Sequence, residues 1–507
     1  MAIDKGDFLS TIREYNKFIL YFINIKIWHW TTYIFLSLVL ISIHGCGVAK
    51  SSMPISLEIK PFEKIMEDKY KKLRVAREMI LETEISSQVI VTRGNPDYFV
   101  EYLSADLKIL PLSDSRQEIS DIDITPEAEI SGNSLAFRLD SPSPGPHVFK
   151  LKAKAVLRRE FVQVKEKIPF PLHDIPIEHI KYISPSSLIN SEDEEIGKLA
   201  ASIAQGEDDL YRVVFKVSEW VADNVSSQID SSTIYTSQTA SWVLENRKGV
   251  CDEKTNLLIG LLRSLKIPAK FVIGLGGVNY NGKINFKPHG WAEVYFPSAG
   301  WIPFDVAYNQ LGFIDASHMK LSESVDISEP ITSYEWKSID IRDPLKSNEG
   351  KSDNALLSIK DLEINAKIKQ ITGTIQPLLE LESREWYNKI ETGSYNVIEA
   401  TIINPHDFYV ITGIYLQVPE ILEIMEQNNK MFLMEPKTEK TVYWIVKPEV
   451  DRNENIITLF PVDVVMQGGG SSSVEFSVAK APGYAKHSLK KIENDIEKKS
   501  KGEKIRR

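Results

Sequence analysis

The stretch that most constrains this chain begins Gly249-Val250-Cys251-Asp252-Glu253 and runs on into Leu257, Leu258, Ile259, Leu261, Leu262 and Leu265. That apolar spacing predicts a helix opening at Cys251, just after a glycine turn. A sulfur there would meet the positive end of the helix dipole and unpaired backbone N–H groups, both of which favour a thiolate. Further on, Trp291-Ala292-Glu293-Val294-Tyr295-Phe296 alternates and is rich in aromatic and β-branched residues. It predicts a strand with His289 at its start. Pro297-Ser298-Ala299-Gly300 predicts a turn, and Trp301-Ile302-Pro303-Phe304-Asp305 a second strand. Two adjacent strands beside a helix N-terminus would let the His289 imidazole face the Cys251 thiol while the Asp305 carboxylate orients the imidazole.

These motifs, with Ile267-Pro268-Ala269-Lys270 between them, resemble the transglutaminase-like superfamily of papain-like thiol enzymes, above all its archaeal and bacterial members. The resemblance covers about residues 196–324. It implies Cys251 as nucleophile, His289 as general base and Asp305 as orienter. Gly290 stands where Ala is usual after the histidine, and Lys270 where Arg is usual after Ile-Pro-Ala. Neither departure touches the triad.

The fold class expected is α+β: a transglutaminase/papain-like core flanked by two antiparallel β-sandwiches, behind an N-terminal membrane segment. Residues 1–26 form a mixed tail. Residues 27–49 carry no charged side chain, and their apolar run is long enough to span ~30 Å of hydrocarbon. Trp28, Trp30 and Tyr33 lie at one rim. Cys46, in Ile43-His44-Gly45-Cys46, offers a lipidated cysteine as the alternative to an uncleaved anchor. Either version puts the body outside the cytoplasm, at the cell surface. Residues 50–82 read as a helical stalk, with a charged amphipathic helix over residues 61–81. Alternating runs separated by Pro/Gly turns make 83–172 a sandwich. The core is expected over 173–340, an immunoglobulin-like sandwich over 353–481, and a charged tail over 482–507. Gly468-Gly469-Gly470-Ser471-Ser472-Ser473 reads as a hairpin loop rather than a linker, because strand sequence follows directly.

Within the core, Trp220, Trp242 and Trp291 are candidates for the oxyanion site or the walls of a substrate groove, though a tryptophan on an apolar face is more often core packing. Residues 279–287, with Tyr280, Gly282 and Phe286, suggest a flap over the site, against the commoner alternative of a hairpin loop. His318 rivals His289, but it lacks a following strand-borne carboxylate and reads as a structural or solvated loop histidine.

Composition limits the partners. The chain has 60 basic and 70 acidic residues, a formal charge of −10, and no basic stripe dominates, which argues against nucleic acid. Its two cysteines, Cys46 and Cys251, are spoken for separately, which argues against a structural disulfide. No Cys/His spacing suits zinc and no acidic loop suits calcium, so neither metal nor cofactor is expected. The function that emerges is a membrane-anchored thiol enzyme acting on protein or peptide amides through a thioester, with hydrolysis favoured. The alternatives are an amine-accepting cross-linking transglutaminase and a non-catalytic adhesion or scaffold protein.

Overall fold

The computed structural model describes residues 58–61, 73, 75–92, 98–228, 237–280, 283–328, 330–340, 347–349, 357–450 and 456–502. The expected anchor over 27–49, Cys46 and the tail before them lie outside the described residues. Among the described residues, no helix is long and apolar enough to cross a membrane.

The centre is built on four helices: α1 (Glu194–Ala204), α2 (Leu210–Asn224), α3 (Ala240–Asn246) and α4 (Cys251–Ser264). Three start where a short polar side chain precedes the apolar period. Asp193 caps α1 through Glu195 and Ile196 N–H, Asp209 caps α2 through Tyr211 N–H, and Thr239 caps α3 through Trp242 N–H. Helix α4 is buried on every side from Glu253 to Arg263. It sits among the other three helices and a five-stranded antiparallel sheet of β1 (Ala269–Tyr280), β2 (Lys283–Phe296), β3 (Gly300–Asp305), β4 (Gln310–Leu311) and β5 (His318–Ser324). The strand order is β4-β3-β2-β1-β5.

One buried polar side chain ties this centre together. Arg263, at the end of α4 and fully buried, donates to Ala269 O at 2.9 and 3.1 Å, to Ser184 O at 3.0 Å and to Val325 O at 2.6 Å. The guanidinium thus gathers the starts of β1, the entry loop and the end of β5 at one point. Burial pushes its pKa down to about 10, against the pull of Asp326.

The central sheet contributes to two cores. Phe271, Ala292, Val294, Ile302 and Phe304 pack with the helices, whereas Leu275, Phe286, Met319 and Leu321 join the core of a two-sheet assembly beside it. That assembly has one sheet in the order Leu357–Thr374, Ala76–Val91, Gly145–Arg158, Gln117–Thr125. The other runs Ser347–Glu349, Thr332–Asp340, Tyr98–Leu107, Ser134–Asp140, Glu129–Ser131. Two expectations are corrected here. The helix expected over 61–81 is strand from Ala76 onward, because Met79, Leu81, Thr83, Ile85, Ser87, Val89 and Val91 are buried at a period of two. The assembly is also not confined to 83–172. Thr332–Asp340 pairs with Tyr98–Leu107, and Leu357–Thr374 pairs with Ala76–Val91. The chain leaves this assembly, builds the helical centre with its five-stranded sheet and returns to finish it.

A second pair of sheets follows. Its six-stranded sheet includes Val410–Gln417, Lys430–Met434, Ile456–Met466 and Ser471–Ala479, with Glu58–Pro61 added in parallel to Ile456–Met466. Its four-stranded sheet includes Asn396–Ile403 and Glu439–Pro448. Trp444, Phe460 and Phe476 fill the space between. The glycine run 468–470 is the turn joining Ile456–Met466 to Ser471–Ala479. Tyr409 and Ile411 enter the helical core, and the Tyr409 hydroxyl donates to Asp209, the cap of α2, at 2.6 Å.

The Lys-rich tail, which reads from sequence as frayed or as a solvated helix, forms helix α5 (Leu489–Ser500), capped by Ser488, and part of it is packed rather than solvated. Ile492 is fully buried against Trp386 and Val397, and Lys499 pairs with Glu399, which also accepts from Trp386 Nε1 at 2.6 Å. Ile492→Ala is therefore expected to cost about 2–5 kcal/mol of local stability. Limited proteolysis should then cut the Lys-rich tail markedly faster than in the wild type, while the rest of the chain stays resistant.

Candidate active site

Cys251 is the first residue of α4, half-buried, with Val250 at the cap position. The turn before it needs a glycine for reasons of space. A Cβ on Gly249 would lie 2.3 Å from Glu253 Cβ. Glu253 is fully buried one turn into the helix and reaches back to Val250 N–H at 2.9 Å and Gln238 N–H at 3.4 Å. It thereby satisfies two donors next to the thiol. Burial, reinforced by the neighbouring Asp252, pushes the Glu253 pKa up to about 7.

The register of the sheet brings the other groups in. His289 on β2 lies opposite Gly274 of β1, and His318 on β5 lies opposite Gly276 of the same strand. Both glycines are required by close approach. A Cβ on Gly274 would meet the Trp291 ring at 2.6 Å and Met319 O at 2.3 Å, and one on Gly276 would meet the His289 ring at 3.0 Å. The bare stretch of β1 lets aromatic rings from both neighbouring strands converge.

They converge on Asp305, at the end of β3. His289 Nε2 is 2.7 Å from Asp305 Oδ2, and His318 Nε2 is 3.1 Å from the same oxygen. Asp305 Oδ1 accepts from the backbone N–H groups of Ala307 and Tyr308 at 2.9 and 3.0 Å. The carboxylate is 1% exposed. With Nε2 of His289 taken by Asp305, Nδ1 is the nitrogen left to face the thiol, and Cys251 is close enough to help raise the pKa of the ring. Tyr308 stacks on the His289 ring at 4.2 Å between centroids. Burial pulls the His289 imidazole down, but the charge and hydrogen bond of Asp305, with Cys251, outweigh it and push the ring up to about 10. Burial pushes Asp305 up; the two histidines, His289 first, reverse this and hold it well below the usual carboxylate range. Lys254, three residues after Cys251 and 5% exposed, lies near enough to Asp305 to feel its charge; burial nonetheless lowers its pKa. Side chains on a helix lean toward its N-terminus, which turns Lys254 toward the thiol end.

The sequence candidates fare differently. The structure brings Cys251, His289 and Asp305 together. It brings His318 to the same carboxylate; of the structural and solvated alternatives the solvated one is excluded, and the residue is on a strand rather than a loop, since it is 1% exposed and opens strand β5. Trp291 is fully buried beneath the two histidines, 5.4 Å from the His318 ring, so it is not a wall that substrate could touch. Its indole N–H has no partner. Trp220 and Trp242 are half-buried against the helical core, with Arg247 4.4 Å over one ring and Lys248 5.5 Å over the other. The expected flap is the tip of the β1–β2 hairpin. Phe286 there is 5% exposed, in the core of the neighbouring sheets, which holds the hairpin down. The residues missed were Tyr308, Lys254, Asp315 and the role of His318. The signal for the histidine was present in Gly274-Leu275-Gly276-Gly277, a glycine-rich strand interior that marks a close approach.

His289, Asp305 and His318 present ligating atoms within 4.8 Å of one another, a set of two imidazoles and a carboxylate that could reach one metal ion. Their hydrogen bonds to each other, to backbone and to Asp315 satisfy them as they stand.

The site thus holds a half-buried thiol that opens a buried helix, near an imidazole tied to a strand-end carboxylate. Residues 197–306, which hold all three groups, match the family model of the transglutaminase-like superfamily. That segment is similar to the transglutaminase-like superfamily. A stretch of 153 residues is 28% identical to the uncharacterized protein YebA of Bacillus subtilis (strain 168), covering 27% of this chain. The match spans about a fifth (20%) of that relative's own length. Among solved structures, a candidate cysteine protease from Cytophaga hutchinsonii aligns at 19% identity over 59% of this chain and 93% of its own, with a TM-score of 0.43. Red sea bream transglutaminase aligns at 10% identity over 78% of this chain and 80% of its own, with a TM-score of 0.22.

The buried Glu253 gives a pH test. Its folded pKa of about 7 exceeds the ordinary ~4.3, so the folded state holds a proton that the unfolded chain gives up. Glu253 therefore makes stability fall as pH rises between those two values. Glu253→Gln keeps an oxygen to accept from Val250 N–H and removes the titration. Its stability relative to wild type is expected to rise across that window, as read by denaturant midpoints at pH 4.5 and 7.5.

Proposed function

We propose that this chain is a thiol enzyme that cleaves or transfers acyl groups of protein or peptide amides through a thioester on Cys251. The observation that carries the reading is the buried 2.7 Å bond from His289 to Asp305, with the Cys251 thiol close enough to help raise the pKa of the ring. His289 takes the thiol proton, leaving a thiolate–imidazolium pair. The thiolate attacks the amide carbonyl, and His289 returns the proton to the leaving amine as the thioester forms. Asp305 fixes the ring so that Nδ1 faces sulfur throughout. The Cys251 N–H, in the first turn of α4 where a helix has no internal acceptor for it, is suited to bind the developing oxyanion.

Water is the acceptor we favour. Transfer to an amine needs a groove that holds the amine and excludes water. Trp291, one of the walls that sequence suggested, is buried out of reach, and the side chain of Tyr280 lies outside those described. We also propose that the uncharged segment 27–49 anchors the protein, by a span or through Cys46, with the body on the outer side.

Cys251→Ala and His289→Ala are each expected to lower turnover of a peptide amide by at least ~10³-fold, while Asp305→Ala leaves measurable activity, because orientation is less indispensable than the base. Full activity in Cys251→Ala would end the thiol-enzyme reading. Adding a labelled primary amine at millimolar concentration should leave free acid as the main product by mass spectrometry. A predominantly amine-linked product would instead promote the cross-linking alternative. Full-length protein should sediment with membranes and be cut by protease added outside intact cells; a body protected from that protease would refute the topology.

A further inference from the structure

Beyond the three residues of that reading, the structure holds a row of alternating charges that continues out of the site. His318 is its pivot. Its Nε2 faces Asp305 Oδ2 at 3.1 Å and its Nδ1 faces Asp315 Oδ1 at 3.1 Å, and the ring is 1% exposed. Both carboxylates are surrounded by donors. Asp305 has two backbone N–H groups on Oδ1 and two imidazoles on Oδ2. Asp315 accepts from Ser317 N–H at 2.8 Å, from Ser317 Oγ at 2.6 Å and from Gln310 Nε2 at 2.7 Å. An ionised carboxylate can only accept, so a ring lying between two of them must donate from both nitrogens. A ring that donates from both nitrogens is an imidazolium.

We propose that His318 is a permanently protonated positioning residue that shares Asp305 with His289, and that the flanking sheets hold it there through Asp315. The charges run His289, Asp305, His318, Asp315 and then two arginines of the neighbouring assembly. Arg116 donates to Asp315 O at 3.3 Å, and Arg159, stacked over Phe313 at 4.2 Å, lies within the field of the Asp315 carboxylate. Gln117 fixes the same place mechanically, with Nε2 donating to Lys320 O and Oε1 accepting from Lys320 N–H, both at 2.9 Å. Strand β5, which carries His318, is thereby fastened to a different part of the fold from the one that carries the nucleophile.

The consequence for the chemistry follows from charge. An imidazolium centred 5.5 Å from the His289 ring offsets part of the Asp305 charge that His289 feels. Without it, Asp305 would act on His289 alone and bind its proton more tightly, which hinders return of that proton to the leaving group. The other groups facing His289 are Cys251, Tyr308 and, through Asp305, Lys254. Facing His318 are Asp305, Asp315, the rings of His289, Tyr308 and Trp291, and, through Asp315, Arg116 and Arg159.

The proposal rests on the Cys251–His289 pairing, so the experiment separates the two. The rate of Cys251 alkylation by iodoacetamide is followed against pH in full-length wild type, His289→Ala, His318→Gln and Asp315→Asn. An upper inflection present in wild type and absent in His289→Ala supports the pairing; identical profiles in those two would overturn the pairing itself. With the pairing intact, His318→Gln and Asp315→Asn are each expected to move the upper inflection to higher pH. For His318→Gln the shift should be about half a unit or more, as expected for unit charges at this separation even under water-like screening. An unmoved inflection in folded His318→Gln would overturn the role of His318. Should the variants fail to fold, ¹⁵N spectra of the histidine side chains in wild type decide alone. Both His318 nitrogens should remain protonated at pH 9, and a neutral His318 at pH 8 would sink the proposal.

Discussion

The Asp305 carboxylate is the constraint on which the rest of the centre depends. A buried unpaired ion costs many kcal/mol, and the cost is met only where donors surround the charge. Here there are four, on two oxygens, and they come from three different places: the turn after β3, the middle of β2 and the start of β5. Each imposes a register. His289 reaches Asp305 because Ala292 of β2 pairs with Phe304 of β3, one residue before the carboxylate. His318 reaches it because β1 between them is glycine at 274 and 276. Slip any of these strands by one residue and the side chains turn to the opposite face. The placing of the Asp305 carboxylate and the register of the sheet are one specification.

The architecture around the sheet follows from how the chain is threaded. The first two-sheet assembly begins before the centre and is completed after it, by Thr332–Asp340 and Leu357–Thr374. Its core takes in Leu275, Phe286, Met319 and Leu321 from the central sheet. On the other side, Tyr409 bonds the cap of α2, and Arg212 pairs with Glu435. The central segment thus has apolar surface covered on both flanks.

What the sequence made legible was local. The start of α4 at Cys251, the strand carrying His289, the turn at 297–300 and Asp305 at a strand end all follow from apolar period and turn residues within short windows, and the structure has each of them. The failures were of pairing and of company. Ala76–Leu81 carries adjacent apolar residues that suit a helix, and its pairing with Leu357–Thr374 on one side and Gly145–Arg158 on the other makes it β. A sandwich drawn as contiguous missed two strands that lie more than 200 positions away in the chain. His318 looked solitary because its partners, Asp305 and Asp315, reach it through folding of the sheet and a buried loop. Trp291 was placed on a groove wall since aromatic residues near a nucleophile invite that view. Its position two residues after His289 on the same strand puts it on the same face, and here that face is covered.

The distance between thiol and imidazole is set by α4 as a whole. Because the helix is buried on all sides, each polar residue on it needs an explicit partner, and those partners form the brace. Thr255, four residues after Cys251, donates to Gly290 O at 3.3 Å, which joins the helix to the residue next to His289. Asn256 donates to Ser237 Oγ at 3.1 Å and Gln238 O at 2.9 Å, and Glu253 holds Val250 and Gln238 from the same side. Arg263 closes the far end onto Ala269, where β1 begins. The helix can therefore neither slide nor rotate against the sheet without breaking several buried hydrogen bonds together, each costing about 1–3 kcal/mol when left unmade. The Cys251 thiol at the N-terminus of this helix is held in place by polar groups deep in the core, some of them a dozen residues away. This is why the most polar stretch of α4 is also among its most buried.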